Sequence, residues 1–277
     1  MVAFNLLSFW LAVRPPRLSV PLRPEDFGLR VEDVSVRADD GARLSAWLVP
    51  GDDPRGAAVI VLHGYPAEKR DMLPIAAALH PRFTVLLLDL RYFGASEGRI
   101  TTLGVRERHD VKRAIDVLTA RGARSIGIFG FSLGGAVALL TAAEDDRVAA
   151  VAAYAAFADL RTLGRELYAW LWLLKYPFVE AIVGWGRLFL GVDLTRPSPA
   201  EAAARLRIPV WLLHTRADEQ IPFAHAERLR AALAGNPRAE YSFVDHGRHG
   251  TLPPDFDARL RDFFARAFAA GDRGRVR

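Results

Sequence analysis

The chain has 277 residues, of which 51% are hydrophobic and 25% charged, and it contains no cysteine. This excludes a disordered chain and, with no thiol, excludes disulfides, a cysteine nucleophile and Cys-ligated metal centres. Of the 37 basic residues behind the formal charge of +5, only Lys69, Lys112 and Lys175 are lysine. The arginines are spread among acids, with one compact group at Arg273, Arg275 and Arg277. No nucleic-acid face is expected.

Met1 to Val13 carries no charge, and Arg14, Pro15, Pro16 and Arg17 end it. Thirteen helical residues rise about 20 Å, too little for a bilayer core of about 30 Å. It lacks the basic start and cleavage site of a secretory signal. Three readings stay open. The segment packs on the body as a helix or is a mobile end; or residues 1–17 touch a membrane peripherally; or the segment is the end of a longer, spanning helix. In the second, Phe4, Leu7, Trp10 and Leu11 share one face, and Arg14 and Arg17 meet anionic headgroups. The expected location is accordingly cytoplasmic, or peripheral at a membrane.

From Val31 the pattern alternates: Val34 and Val36 precede a turn at Asp39-Asp40-Gly41, and Leu44, Ala46 and Leu48 follow it. That predicts a hairpin. Runs at 57–62, 84–88, 125–129, 148–153, 210–213 and 239–244 read as strands, the first of them continuously apolar as in a strand buried on both faces. Segments of helical spacing lie between them at 70–79, 104–120, 133–143 and 223–234, and another follows at 255–268. Such alternation predicts right-handed crossovers and a mainly parallel sheet covered on both faces. Residues 157–200 break the pattern and read as a helical cap rich in bulky aromatics. Tyr168, Trp172 and Tyr176 are the expected pocket-lining residues there, because pockets are largely apolar and aromatic. The expected division is an extension at 1–27, a core at 28–156 and 201–270, and the cap at 157–200.

Gly130-Phe131-Ser132-Leu133-Gly134 matches G-x-S-x-G. The pattern alone is weak, but it follows a strand and opens a small-residue helix, the strand–turn–helix setting of a nucleophile. A Cβ at position 130 or 134 is expected to clash with the neighbouring strand or helix. The Leu133 amide falls at a helix N-terminus, suited to an oxyanion. His63-Gly64-Tyr65-Pro66 follows the first buried strand, where the Tyr65 amide suits a second oxyanion donor. His63 is expected to anchor this loop rather than move protons. Asp89 and Arg91 are expected to be structural.

An acid and a base should follow the nucleophile in that order. Asp218, just past the strand at 210–213, is the preferred acid; Glu219 and Asp159 are the alternatives. Asp245-His246-Gly247-Arg248-His249-Gly250 follows the last strand and offers two bases. His249 is preferred and His246 is the alternative. His80, His109 and His225 read as helix-surface residues without a role.

The stretches DGARLSAWLVP, VLHGYP, LLLDLRYFGASEG, GIFGFSLGGAVAL, LLHTRADEQIP and HGRHG occur in this order over about residues 28–270. Together they resemble the α/β-hydrolase superfamily, in particular its serine-aminopeptidase-like and BAAT/dienelactone-hydrolase-like esterase group. The resemblance implies an α/β-hydrolase fold, with a mostly parallel eight-stranded sheet and a helical cap. It implies Ser132 as nucleophile, His249 as base, Asp218 as acid, and the Tyr65 and Leu133 amides as oxyanion hole. No cofactor and no metal are implied. The expected partner is a small-molecule acyl substrate, an ester or thioester, with a peptidase or an inactive binding protein as the other readings. Tyr92 departs from the family's D-x-R-G-x-G-x-S pattern, the HGGG loop of lipases is absent, and Ser rather than Asp at the turn argues against dehalogenase or epoxide-hydrolase chemistry.

Overall fold

The computed structural model describes residues 2–53 and 55–275, with side chains described up to residue 270. Met1 and the expected cluster of Arg273, Arg275 and Arg277 lie outside the described side chains.

Helix α1 (Val2–Val13) comes first. Strands β1 (Glu32–Arg37) and β2 (Arg43–Val49) form the expected hairpin, pairing antiparallel with Val34 opposite Ala46. There follow β3 (Ala57–Leu62), α2 (Leu73–Leu79), β4 (Thr84–Leu88), α3 (Glu107–Ala120), β5 (Ser125–Phe131), α4 (Leu133–Ala142) and β6 (Val148–Tyr154). After a helical insertion that follows β6 come α7 (Pro199–Ala203), β7 (Val210–Thr215), α8 (Ala224–Ala232), β8 (Ala239–Val244) and α9 (Phe256–Arg275). The eight strands make one sheet in the order β1-β2-β4-β3-β5-β6-β7-β8, and every pairing from β4 to β8 is parallel.

The central strands are apolar on both faces because both faces are covered. In β3, Ala58, Ile60 and Leu62 pack with α3 and α4, while Val59 and Val61 face the opposite layer of α2 and α9. The period of two thus divides one continuous apolar run between two cores.

Between β6 and β7 the chain forms α5 (Leu160–Leu167), a 3₁₀ segment (Ala169–Leu174), α6 (Lys175–Trp185) and a π-helical turn (Gly186–Leu190). Asp159 caps α5 by accepting from the Thr162 amide at 2.6 Å. Helix α1 lies on α6: Asn5 donates to the Phe178 carbonyl at 2.8 Å and accepts from the Trp185 indole at 2.8 Å. His225 corrects the reading of it as a surface residue. It is fully buried, accepts from the Ala158 amide at 3.0 Å and meets Glu166 of α5 at 2.7 Å.

Candidate active site

The parallel strands end on one edge of the sheet, and the loops leaving β3, β5, β7 and β8 gather there. Ligands bind at this carboxyl edge in open α/β sheets. Ser132 links β5 to α4 with φ 52° and ψ −113°, a left-handed backbone that a non-glycine residue rarely adopts. The turn holds because its neighbours lack side chains. A Cβ on Gly130 would overlap the Gly134 carbonyl, and one on Gly134 would overlap the carbonyls of Leu62 and His63. The Ser132 amide donates to the Tyr154 carbonyl at 2.8 Å, which pins the turn to β6. Leu133 is the first residue of α4, where amides carry no partner inside the helix.

Asp218 follows β7, and its side chain is wholly buried. One oxygen accepts from the Gln220 and Ile221 amides at 2.9 and 2.8 Å; the other meets His249 Nδ1 at 2.7 Å. Burial opposes ionisation of Asp218, but the imidazole and the two amides outweigh it and hold its pKa below the usual value. His249 sits in the loop after β8 with its ring 4.8 Å from that of Phe131, the residue before Ser132. His246 in the same loop is exposed. Glu219 does not meet the imidazole; its carboxylate accepts the His249 amide at 3.1 Å. Asp159 is engaged at the α5 cap and with Arg228.

The loop after β3 carries Tyr65. Its phenol donates to the carbonyls of Leu11 and Ala12, at 3.2 and 3.1 Å, at the C-terminal end of α1. Burial pushes the phenol up to about 12, so it stays protonated as a donor. His63 is fully buried; its Nδ1 donates to the Gly64 carbonyl at 2.7 Å and its Nε2 accepts the Leu90 amide at 3.0 Å. This is the expected anchoring role, and burial lowers the imidazole's pKa and keeps it neutral. Asp89 accepts from the Lys69 ammonium and the Ala95 amide, and Arg91 makes two hydrogen bonds to Asp110 at 2.6 and 2.7 Å.

Two supports had no place in the sequence reading. The Tyr154 hydroxyl donates to the Thr251 carbonyl at 2.7 Å and ties the His249 loop to β6. Buried His214 donates through Nε2 to the Ile221 carbonyl at 2.9 Å and shapes the Asp218 loop. Strand patterns reveal that such side chains are buried, but not which distant loop they reach.

Of the aromatics expected to line a pocket, Trp172 is 77% exposed and Tyr176 is exposed beneath Arg165 and Lys175. Tyr168 packs on Phe178 at 4.7 Å. Their hydrophobicity was legible, but the direction each faces depends on how the cap helices turn. A cavity of about 240 Å³ opens beside Phe131, which lines it together with Asp71, Met72, Ile75, Tyr154 and Leu252. Among the described residues no group of three or more His, Asp or Glu side chains is placed to hold a metal ion.

Comparison with known proteins agrees with this architecture. The sequence profile of the alpha/beta hydrolase fold family matches residues 57–178. The YfhR protein of Escherichia coli (strain K12) is 30% identical over 228 residues, which cover 79% of this chain and 73% of YfhR. The alpha/beta hydrolase domain-containing protein WAV2 of Arabidopsis thaliana is 29% identical over 260 residues, 90% of this chain and 82% of WAV2. Among solved structures, the Pyrococcus furiosus esterase Pf2001 superposes with a TM-score of 0.76 at 24% identity, covering 92% of this chain and all of that one. The chain belongs to the α/β-hydrolase superfamily.

Proposed function

We propose that the protein is a serine hydrolase that cleaves small-to-medium acyl esters or thioesters through an acyl-enzyme. The observation that carries this reading is the buried 2.7 Å contact between Asp218 and His249 Nδ1, in a loop packed against the residue preceding Ser132. With Nδ1 engaged, Nε2 is the nitrogen left to act as base. In the proposed cycle His249 Nε2 takes the Ser132 hydroxyl proton as Oγ attacks the acyl carbonyl. The Tyr65 and Leu133 amides hold the oxyanion. Collapse breaks the ester bond, and the alcohol leaves with the proton from His249. Water then gives a proton to His249 and attacks the acyl-enzyme; the acyl–Oγ bond breaks, the acid leaves, and His249 returns the proton to Ser132 Oγ. Asp218 steadies the imidazolium formed in each half.

The cavity beside Phe131 supports a substrate with an apolar arm, since its lining is mainly apolar, with Asp71 at one point of it. The esterase title of Pf2001 agrees with ester chemistry. The test is Ser132→Ala against wild type, with p-nitrophenyl acetate and aminoacyl arylamides assayed in parallel and fluorophosphonate labelling of both proteins. Ester turnover and labelling that vanish in Ser132→Ala carry the reading. Faster arylamide turnover makes the enzyme a peptidase. Absence of labelling in the wild type makes the fold an inactive binding scaffold.

A further inference from the structure

Helix α1 is apolar on both its buried and its exposed side: Phe9 and Val13 are fully buried against the body. Its two polar residues, Asn5 and Ser8, are buried, while Val2, Leu7 and Leu11 are more than half exposed. A helix at a water-facing surface carries polar residues on its exposed side, which α1 does not. The exposed side of α1 continues onto the cap. Phe4 meets Trp170 with ring centroids 6.1 Å apart, and Trp10 meets Phe189 at 5.7 Å. Beyond them, Trp170, Trp172 and Leu173 are 67%, 77% and 60% exposed. Scattered apolar residues on a surface need no explanation, but a continuous area of tryptophan and leucine marks an interaction site.

The charge around this area selects the partner. No acidic residue occurs in positions 2–24. Arg14 stacks on Trp10 at 5.0 Å, Arg17 on Tyr92 at 4.8 Å, and Lys175 on Tyr176 at 5.5 Å. Among the described residues none of the three meets a carboxylate. Twelve residues of helix rise about 18 Å, too short to cross a bilayer but suited to lying in its interface. No described helix is long and apolar enough to cross a membrane.

We propose that α1 and the 3₁₀ segment of the cap form one docking surface for an anionic lipid bilayer. Leu7, Leu11, Trp170, Trp172 and Leu173 enter the headgroup region, and Arg14, Arg17 and Lys175 face lipid phosphates. The surface is broader than residues 1–17. It also adjoins the candidate site, because the C-terminal carbonyls of α1 are held by Tyr65. That adjacency presents the site to lipid-dissolved acyl compounds, a consequence that rests on the proposed hydrolase reading; the docking itself does not.

The test is cosedimentation of the full chain with vesicles of phosphatidylcholine, alone and mixed with phosphatidylglycerol. The protein should bind the mixed vesicles and lose binding as salt is raised. A Leu7→Glu/Leu173→Glu variant should bind at least about tenfold more weakly. Arg14→Gln/Arg17→Gln should lose the preference for phosphatidylglycerol. Circular dichroism melts near wild type show that both variants are folded. Ser132→Ala should bind as wild type does, which separates a failure of docking from a failure of hydrolysis. Wild-type protein that stays in the supernatant, or variants that bind equally well, overturn the proposal. So does a dimer in light scattering that the leucine variant splits while no vesicle is bound; the face is then a contact between copies of this chain.

Discussion

His225 of α8 and Glu166 of α5 meet at 2.7 Å across the boundary between core and cap. The imidazole is fully buried, and its other nitrogen accepts the Ala158 amide at 3.0 Å. One side chain therefore holds the chain at the point where it leaves β6 and the first cap helix that follows. His225→Ala leaves a buried amide without a partner and should cost about 1–3 kcal/mol of stability. Urea denaturation measures this, and limited proteolysis should cut within 160–190 faster than in wild type. Unchanged stability and protection would mean that the cap is held by its apolar contacts alone.

Asp218 and Glu219 are adjacent in sequence but meet different atoms of His249. Asp218 contacts the ring and Glu219 accepts the backbone amide. Asp218→Asn should therefore lower kcat by about 10³–10⁴. Glu219→Gln keeps an oxygen acceptor for the amide and should lower kcat less than about tenfold. Equal losses in the two variants would count against Asp218 as the acid. The comparison needs steady-state kinetics with one soluble ester.

Acid should weaken the fold through its buried histidines. Burial lowers the pKa of His63 and of His214 from 6.5 in the folded chain. The unfolded chain takes up protons near that value and the folded chain does not. Stability thus falls as pH drops below about 6.5, and this contribution levels off once the folded values are passed. His63→Gln should melt at a lower temperature near neutral pH but lose less on going from about pH 7 to about pH 5. Thermal melts across this range test it; parallel curves for the two proteins would assign the acid sensitivity to other groups.

The core strands were legible because a strand buried on both faces is apolar along its length, as Ala57–Leu62 is throughout and Thr84–Leu88 is after its first residue. Ser132 was legible because its backbone geometry needs small neighbours at fixed spacing. The meeting of Asp218 with His249 was readable only as chain order. What places them together is the parallel pairing of β7 with β8, a non-local contact. His225 was misread for a related reason. Its partners at Ala158 and Glu166 lie 67 and 59 residues away, and helical spacing says nothing of them. For the aromatics of 157–200, composition marks them as apolar, while the turns between short helices decide which of them face water.

The cavity beside Phe131 predicts a chain-length effect. Leu252 lines it and is 36% exposed, so a larger side chain fits there without disturbing the core. Leu252→Trp should reduce kcat/KM for octanoyl esters at least about tenfold and for acetyl esters only slightly, since each methylene held in an apolar pocket is worth about 1–3 kcal/mol. A panel of p-nitrophenyl esters reads this directly. A uniform loss across the panel would place the apolar arm of the substrate elsewhere.

Tyr65 joins two features that are otherwise separate. Its amide is the proposed oxyanion donor, and its phenol holds the Leu11 and Ala12 carbonyls of α1. Tyr65→Phe keeps the ring and the amide but removes the tether. The two helix-end carbonyls then rely on water, at a cost of about 1 kcal/mol in stability. If the tether positions the amide, kcat should fall about 3–10-fold with KM unchanged, short of the 10²–10³ expected when one oxyanion donor is lost outright. A fall in KM alone, or in stability with kcat intact, would make the phenol an anchor for α1 without influence on the chemistry. Deleting residues 2–13 should reproduce the kcat effect in the first case, because the phenol then has no carbonyl to hold, and leave kcat unchanged in the second.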